Sequence, residues 1–413
     1  MSVRSVRRAY LLGSCALLVL IGLSEAALAQ AKLPEVEVTG NRNKPKPRPA
    51  VVARPAAAAP VVAPLTPAEQ LTAKSSAFDQ SRSNLYTTIG TTSSTQTHAT
   101  IDALPQGTNQ SVEKVLLQAP GVSQDSVASG FLHVRNDHGN VQYRINGVIL
   151  PDGIGGFGSV LSTSWVGSIA LVTGALPAEF GLRTTGLVDI TTRADVFNNS
   201  GSVGFYGGSR GTITPTLEYG GTFGGNCPAT ASSTVTKASP SWSSKDCFPG
   251  VQYYFTGRYL QTTEGIENPT PSLNAIHDFS HQANGFAYMS TFVDPATRLS
   301  LIAGTTYNTF QIPNNPGQPV GMNGNPPVTS AFGITNFDSS LLNENQREFN
   351  QYGVLALQRS APGFDGQLSY FTRYSNLHFI PDPIGDLLFN GIASDVSRQS
   401  YTNGVQGDAS YVV

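Results

Sequence analysis

Gln282-Ala-Asn-Gly-Phe-Ala-Tyr-Met-Ser-Thr-Phe-Val293, then Asp294-Pro-Ala-Thr297, then Arg298-Leu-Ser-Leu-Ile-Ala-Gly-Thr-Thr-Tyr-Asn-Thr-Phe310 is the stretch that decides the fold. Apolar and polar residues alternate on both sides of a tight Pro-containing turn. A period of two gives each strand one apolar and one polar face. The same reading extends over residues 200–413, with strands expected near Ser202–Gly208, Thr212–Gly220, Gln252–Thr262, Gln282–Val293, Arg298–Phe310, Gln346–Gln358, Gln367–Asn376 and Ser400–Val413. Tyr253, Phe255, Tyr288, Leu301, Tyr307, Tyr352, Leu355 and Tyr370 supply apolar bulk, and Gln, Asn, Thr and Arg intervene.

A soluble sandwich would alternate in the same way, so the connections arbitrate. Asp294–Thr297 and Ala361–Gly366 are short, whereas 311–345 and 377–399 are long. Short turns on one rim and long loops on the other are the pattern of a transmembrane barrel. Counting back from Asp294 puts the segment between Cys227 and Cys247 on the short-turn rim.

The N-terminus places the chain across a membrane. Arg4, Arg7 and Arg8 precede the apolar run Leu11–Leu23, and Ala27-Leu-Ala29 offers a cleavage site before Gln30, so residues 1–29 read as a signal peptide. Cys15 lies in that leader. The remaining pair, Cys227 and Cys247, is expected to form a disulfide in an oxidising compartment, with no histidine or further cysteine near enough to suggest a metal. Within 30–43, Glu35-Val-Glu-Val-Thr39 alternates as a segment that could add a strand to another protein's sheet edge. Residues 44–84 are rich in Pro and Ala and read as an extended linker.

Residues 85–195 read as a compact α+β unit. Ile101–Pro105 suggests an opening strand and turn. Ser111 caps a helix through Val112–Leu117, stopped by Pro120-Gly121. Short strands are expected at Phe131–Arg135, Val141–Ile145, Val148–Leu150, Ile169–Val172 and Leu187–Ile190, with Asn146-Gly147 as a turn. Formal net charge is -2 and only 13% of residues are charged, which gives no footprint for nucleic acid. No nucleophile elbow or paired-carboxylate setting is present, and Gly153-Ile-Gly-Gly-Phe-Gly158 lacks the strand-to-helix setting of a nucleotide loop. An enzyme is not expected, nor is any cofactor. His133 and His138 read as local hydrogen-bonding residues.

Taken in order, these segments resemble the TonB-dependent outer-membrane receptors, siderophore receptors in particular. Leu33–Gly40 is similar to the TonB box. Leu104-Pro105 with Ser111–Val122, Val134-Arg135, Tyr143-Arg-Ile-Asn-Gly-Val148, Gly174-Ala-Leu-Pro-Ala-Glu-Phe-Gly181 and Gly186-Leu-Val-Asp-Ile-Thr-Thr-Arg193 resemble the plug signatures. Asn146 stands where Asp is usual, and Asp189 where Asn is common.

The resemblance implies an α+β plug domain (85–195) followed by an incomplete transmembrane antiparallel β-barrel (200–413), roughly 22-stranded in the intact family. It implies an outer-membrane location with the N-terminal segment in the periplasm. Partners would be TonB of the TonB-ExbB-ExbD complex at Glu35, Val36, Glu37, Val38 and Thr39, outer-membrane lipid, and a small ligand such as a ferric siderophore, with oligosaccharide or cobalamin as alternatives. Plug residues Arg135, Arg144, Arg183 and Arg193 are expected to face barrel carboxylates, Glu218 and Glu348 among them. About eight strands cannot enclose a plug, so the chain reads as a fragment or an incomplete gene product. A secreted β-rich binding or adhesion protein is the competing reading; it gives no reason for box, linker and plug signatures in this order.

Overall fold

The computed structural model describes residues 65–412 apart from 86–88, 125–130, 139, 182, 228–246, 267–275 and 323–324. The leader, the box-like segment Glu35–Thr39 and most of the Pro/Ala stretch lie outside the described residues.

The first element, α1 (Pro67–Ser81), falls within the segment read from sequence as a linker. Thr66 and Glu69 form a reciprocal capping box: the Glu69 amide donates to Thr66 Oγ1 (3.3 Å) and the Thr66 amide to Glu69 Oε2 (2.7 Å). Pro67 sits at N1, where its missing N–H costs nothing. The buried face is Gln70, Leu71, Lys74, Ser75, Phe78 and Ser81, mostly polar, so no apolar periodicity marks it.

The plug follows as β1 (Thr91–Thr97), α2 (His98–Asp102), α3 (Val112–Leu116), β2 (Val122–Gln124), β3 (Leu132–Val134), β4 (Asp137–His138), β5 (Val141–Ile145), β6 (Val148–Leu150), β7 (Val166–Gly174) and β8 (Gly186–Thr192). Ile101, expected in a strand, instead lies in α2, which Thr97 caps by accepting from the Thr100 amide (3.2 Å). The Ser111 cap forms as expected, accepting from the Lys114 amide (3.3 Å). The main plug sheet runs β1-β7-β8-β5-β6, with β5 and β8 parallel and the other pairs antiparallel.

Eight further strands form one antiparallel meander: β9 (Ser200–Gly207), β10 (Ile213–Phe223), β11 (Val251–Thr262), β12 (Ser280–Asp294), β13 (Thr297–Gln311), β14 (Asn345–Ala361), β15 (Phe364–Ile380) and β16 (Val396–Tyr411). All eight positions match the sequence expectation. Several run longer than the alternation suggested, because ladder pairing continues to the turns: β14 and β15 pair from Asn345↔Ile380 to Ala361↔Phe364. The sheet is open, with β9 and β16 at its edges.

Strand parity divides the two faces. Ile302, Phe286, Tyr288, Tyr352 and Val354 are buried in one core with plug residues Ile145, Trp165, Val188 and Ile190. Trp165 stacks on Phe286, centroids 4.3 Å apart and 4° between planes. On the opposite face Val203, Leu217, Leu301, Leu355, Leu368 and Val405 are exposed. An exposed apolar row on every strand is the pattern found on the outer surface of a membrane barrel wall.

Candidate functional site

The plug meets the sheet at two levels. At the rim carrying the short 295–296 and 362–363 turns, α1 is seated on β11, β13 and β14. Ser75 Oγ donates to Gln252 Oε1 (2.5 Å), and Gln358 Nε2 to the Phe78 carbonyl (2.7 Å). Arg298 donates to the Ser75 carbonyl (3.1 Å) and pairs with Asp79 (2.6 Å); Arg82 holds the same carboxylate at 3.0 Å. Arg298 is buried, 1% exposed at its side chain, so the pair works in a poorly solvated seat. Burial opposes the charge of Asp79, but the two guanidiniums outweigh it and hold the carboxyl below its usual range.

Phe78 meets Phe292 edge-on at 4.9 Å. Leu71 completes that cluster, against which Cys227 and Cys247 pack. These two cysteines are joined in a disulfide. Cys227 and Cys247, between the end of β10 and the start of β11, lie at the short-turn rim, as the strand count expects. Lys74 is also buried here, and burial pulls its ammonium down to about 8 against the opposing effect of Asp294.

At the other rim, the glycine run 153–158 lies flat on the inner wall. Glu348 accepts from the Phe157 amide (2.6 Å) and the Gly158 amide (3.0 Å). A Cβ at Gly156 would fall 2.3 Å from Glu348 Oε1, and one at Gly158 2.0 Å from Asn308 Nδ2. The glycines are needed for this close approach, a role distinct from phosphate binding. Arg373 donates to the Pro151 carbonyl (2.7 Å) and Ser375 accepts from the Ile154 amide (2.9 Å).

Beside this loop, between α3 and strands β9 to β12, is a polar cavity of about 730 Å³. It is lined by amides (Gln106, Asn109, Gln110, Gln282), hydroxyls (Ser111, Thr212, Thr214), the cations Lys114, Arg210 and Arg258, the carboxyls of Glu113 and Glu264, and the rings of Phe157 and Phe310. Arg258 donates to the Asn109 carbonyl (2.6 Å), while its Nε, Arg210 Nη1 and Thr214 Oγ1 are buried without hydrogen-bond partners among the described residues. Glu113, on α3, is pushed above the carboxylate range by burial, partly offset by hydrogen bonds from its own amide, Ser111 and Ser159. Unpaired polar atoms around a roomy polar hollow are groups available to a ligand or water.

The expected arginine contacts divide. Arg193 pairs with Glu218 of β10 (3.0 Å) as well as Asp195 (3.0 Å). Arg183 pairs instead with Asp152, inside the plug. Arg144 is buried, donating to Gln142 (2.9 Å) and the Gly147 carbonyl (3.4 Å) with its guanidinium over Phe180. Arg135, at φ 52 in an exposed turn, packs beside Gly121. Of the four plug arginines expected to face barrel carboxylates, Arg193 is the one for which such a contact is described, while the contacts described for Arg183, Arg144 and Arg135 lie within the plug. Glu348 serves amides rather than an arginine. Asn146 is a junction: its Oδ1 accepts from the Thr192 amide (3.0 Å) and from Arg82 (3.4 Å), and its carbonyl from Gln367 of β15 (3.3 Å).

Sequence reasoning missed the contacts of Asp79, Arg298, Gln358 and Arg258. The Thr66-Pro-Ala-Glu69 capping box was the one signal able to expose the first of them. Phe310, near the end of β13, lines the cavity; in the connection from β13 to β14, Phe337 packs on Phe389 (6.0 Å) and Phe332 is exposed.

No protein-family model matches the sequence, and no curated protein matches it. Solved structures do match. FpvA of P. aeruginosa bound to heterologous pyoverdines aligns at 12% identity and TM-score 0.52, covering 78% of this chain and 39% of that one. The FrpB iron transporter of Neisseria meningitidis (F3-3 variant) aligns at 13% and 0.53, covering 79% and 47%. The ferric enterobactin receptor PfeA of Pseudomonas aeruginosa aligns at 11% and 0.50, covering 80% and 47%. The chain spans less than half the length of the solved proteins it matches. Likeness at this level is likeness of fold, and the fold is that of the TonB-dependent siderophore and iron receptors: a plug domain followed by the N-terminal portion of an antiparallel barrel sheet.

Proposed function

We propose that this chain is the plug and leading barrel wall of an energy-coupled outer-membrane receptor that imports a scarce nutrient, with a ferric siderophore as the favoured cargo. The observation that carries the reading is the polarity of the plug between two unlike rims. Its N-terminal end, α1, is seated at the short-turn rim, and its glycine loop and polar cavity lie at the long-loop rim. In the proposed orientation the short-turn rim faces the periplasm. The linker and the Glu35–Thr39 segment would then reach an inner-membrane partner, TonB of the TonB-ExbB-ExbD complex, by strand addition. A ligand entering from the long-loop side would meet Arg258, Arg210 and Lys114, whose unspent hydrogen-bonding capacity suits an anionic chelate.

The cavity's amide and hydroxyl lining favours a second reading, uptake of an oligosaccharide or cobalamin. The test is cellular uptake by the full-length receptor of a ferric-siderophore panel, cobalamin and oligosaccharides, with and without residues 35–39. Loss of uptake with surface binding retained is expected for the deletion. Uptake undiminished by the deletion would reject energy coupling through this segment.

A further inference from the structure

The β3–β4 hairpin of the plug carries an arrangement that neither the α1 seat nor the glycine loop uses. Both residues of its turn, Arg135 and Asn136, have positive φ (52 and 67), the type I′ geometry that matches the twist of the adjoining strands and fixes their register. That register sets His133 directly opposite His138. The two imidazoles hydrogen-bond each other, His138 Nδ1 to His133 Nε2 at 3.2 Å, with the ring planes tilted by 52°. His133 is half-buried and His138 exposed. The chain's remaining histidines face oxygen instead: His98 the Val166 carbonyl (2.8 Å), His277 the Ile312 carbonyl (2.9 Å), His281 the Thr309 hydroxyl (2.8 Å) and His378 the Asp395 carboxylate (2.7 Å).

Two ring nitrogens in contact share one hydrogen, because two N–H groups or two lone pairs set face to face repel. A metal ion can stand in that hydrogen's place once it moves to the outer nitrogen of its own ring, which leaves both inner lone pairs for coordination. Imidazole nitrogens bind divalent transition metals at about 2.0–2.1 Å, so two of them on one ion at about 90–109° stand about 2.8–3.4 Å apart. The 3.2 Å between His133 and His138 falls within that bite. Asp137, next to His138, adds negative charge: hydrogen bonds from Thr185 and Asn140 hold its carboxyl below the usual range. The opposing charge on the hairpin is Arg135, whose side chain lies beside Gly121.

The hairpin also stands on the cavity side of the plug. Phe131 meets His138 edge-on at 5.9 Å, and its ring lies 2.8 Å from where a Cβ at Gly155 of the glycine loop would fall. Gln124 of β2, opposite Leu132 of β3, lines the polar cavity.

We propose that His133 and His138 form a two-imidazole site for one divalent transition-metal ion of the nickel, copper or zinc class, its remaining positions open to water or to the donors of an incoming chelate. The outward position of the site rests on the reading of the long-loop rim as the outer one; capture of the ion does not.

The test titrates the full-length receptor, purified in detergent without a histidine tag and stripped with a chelator, with nickel chloride by calorimetry, and records its electron paramagnetic resonance spectrum with one equivalent of copper(II). One nickel ion per chain and a copper signal split by two nitrogens are expected. His133→Asn and His138→Asn should each weaken nickel binding at least about tenfold, since even a partner behind a ligand is worth about 10–100-fold in affinity, and should leave coupling to one nitrogen. His281→Asn and His378→Asn should change neither readout. A wild-type chain that takes up no nickel, His133 and His138 variants that bind it as the wild type does, or a two-nitrogen copper signal surviving in either of them would each overturn the proposal. Failure of the transport reading looks different: uptake would not depend on residues 35–39, while the ion would still bind.

Discussion

Asp79→Asn should loosen α1 without touching the plug core. The substitution preserves side-chain volume but removes the anion that Arg298 contacts at 2.6 Å and Arg82 at 3.0 Å. Removing one partner of a buried pair costs about 3–5 kcal/mol, because the other charge stays buried and unmatched. The Asp79 side chain is 27% exposed, so water can reach the site and the lower end, about 3 kcal/mol, applies. At 1.4 kcal/mol per factor of ten this is roughly 100-fold in the opening equilibrium. Hydrogen exchange of the intact receptor in detergent reads it directly: amides of residues 67–81 should exchange about 100-fold faster, while those of Ile145, Val188 and Ile190 keep their rates. Replacing all three charges, Asp79→Leu with Arg298→Met and Arg82→Met, should recover most of the protection, since no unmatched charge then stays buried. Exchange in α1 altered by less than about threefold, or plug-core amides accelerating in parallel, would refute the account of a separately held helix.

The disulfide gives a second handle. Replacing Cys227 and Cys247 by serine frees a loop of sequence separation 20 and should cost about 3 kcal/mol in a reversible unfolding experiment. Because the bridge packs on the Leu71–Phe78 cluster, proteolysis should start in α1. Gly158→Ala should force Asn308 and Glu348 away from the glycine loop at about 1–3 kcal/mol, seen as a lowered thermal midpoint. Lys74, lowered to about 8 by burial, binds a proton less readily folded than unfolded, so the stability of the seat should rise between pH 8 and the ordinary lysine value near 10.4. Lys74→Met should flatten that rise and increase protection at neutral pH. Asp79 acts in the opposite range: its depressed folded pKa means that its contribution is intact above about pH 4 and is lost as pH falls through the folded value. A pH scan of α1 exchange should show both limbs.

The barrel wall was legible because each strand has one face in the shared core and one on the outer surface, so a single period of two serves Ile302, Val354 and Leu355 alike. Plug strands β3, β5, β6, β7 and β8 were legible from Asn146-Gly147 and the short apolar runs, whereas β1, wholly polar, and β2 and β4, two or three residues long, were not. Helix α1 was not, because its partners are polar side chains of β11, β13 and β14 that only tertiary structure brings near. Gln70, Ser75 and Asp79 read as solvent-facing until Gln252, Arg298 and Gln358 stand opposite them. The arginines divide for a related reason. Sequence shows that a guanidinium needs a partner but not which one: Arg193 meets Glu218 of β10, and Arg183 meets Asp152 within the plug.

The two contact surfaces differ in kind, and that difference sets an order of events for a receptor pulled from its N-terminus. The plug core shares Trp165, Val188 and Ile190 with Phe286 and Ile302 of the wall, and separating them would expose apolar area at about 25 cal/mol per Å². The α1 seat joins hydrogen bonds and one charge cluster to a small apolar contact of Leu71, Phe78 and Phe292. Hydrogen bonds exchanged for bonds to water return most of their energy, at a net of about 0.5–1.5 kcal/mol each. The next segment, β1, is an edge strand with β7 as its one sheet neighbour, and Thr91 at its N-terminal end pairs with Gly174 at the far end of β7. A tether at the short-turn rim thus meets first a mostly polar helix seat, then an edge strand, and only afterwards the apolar centre.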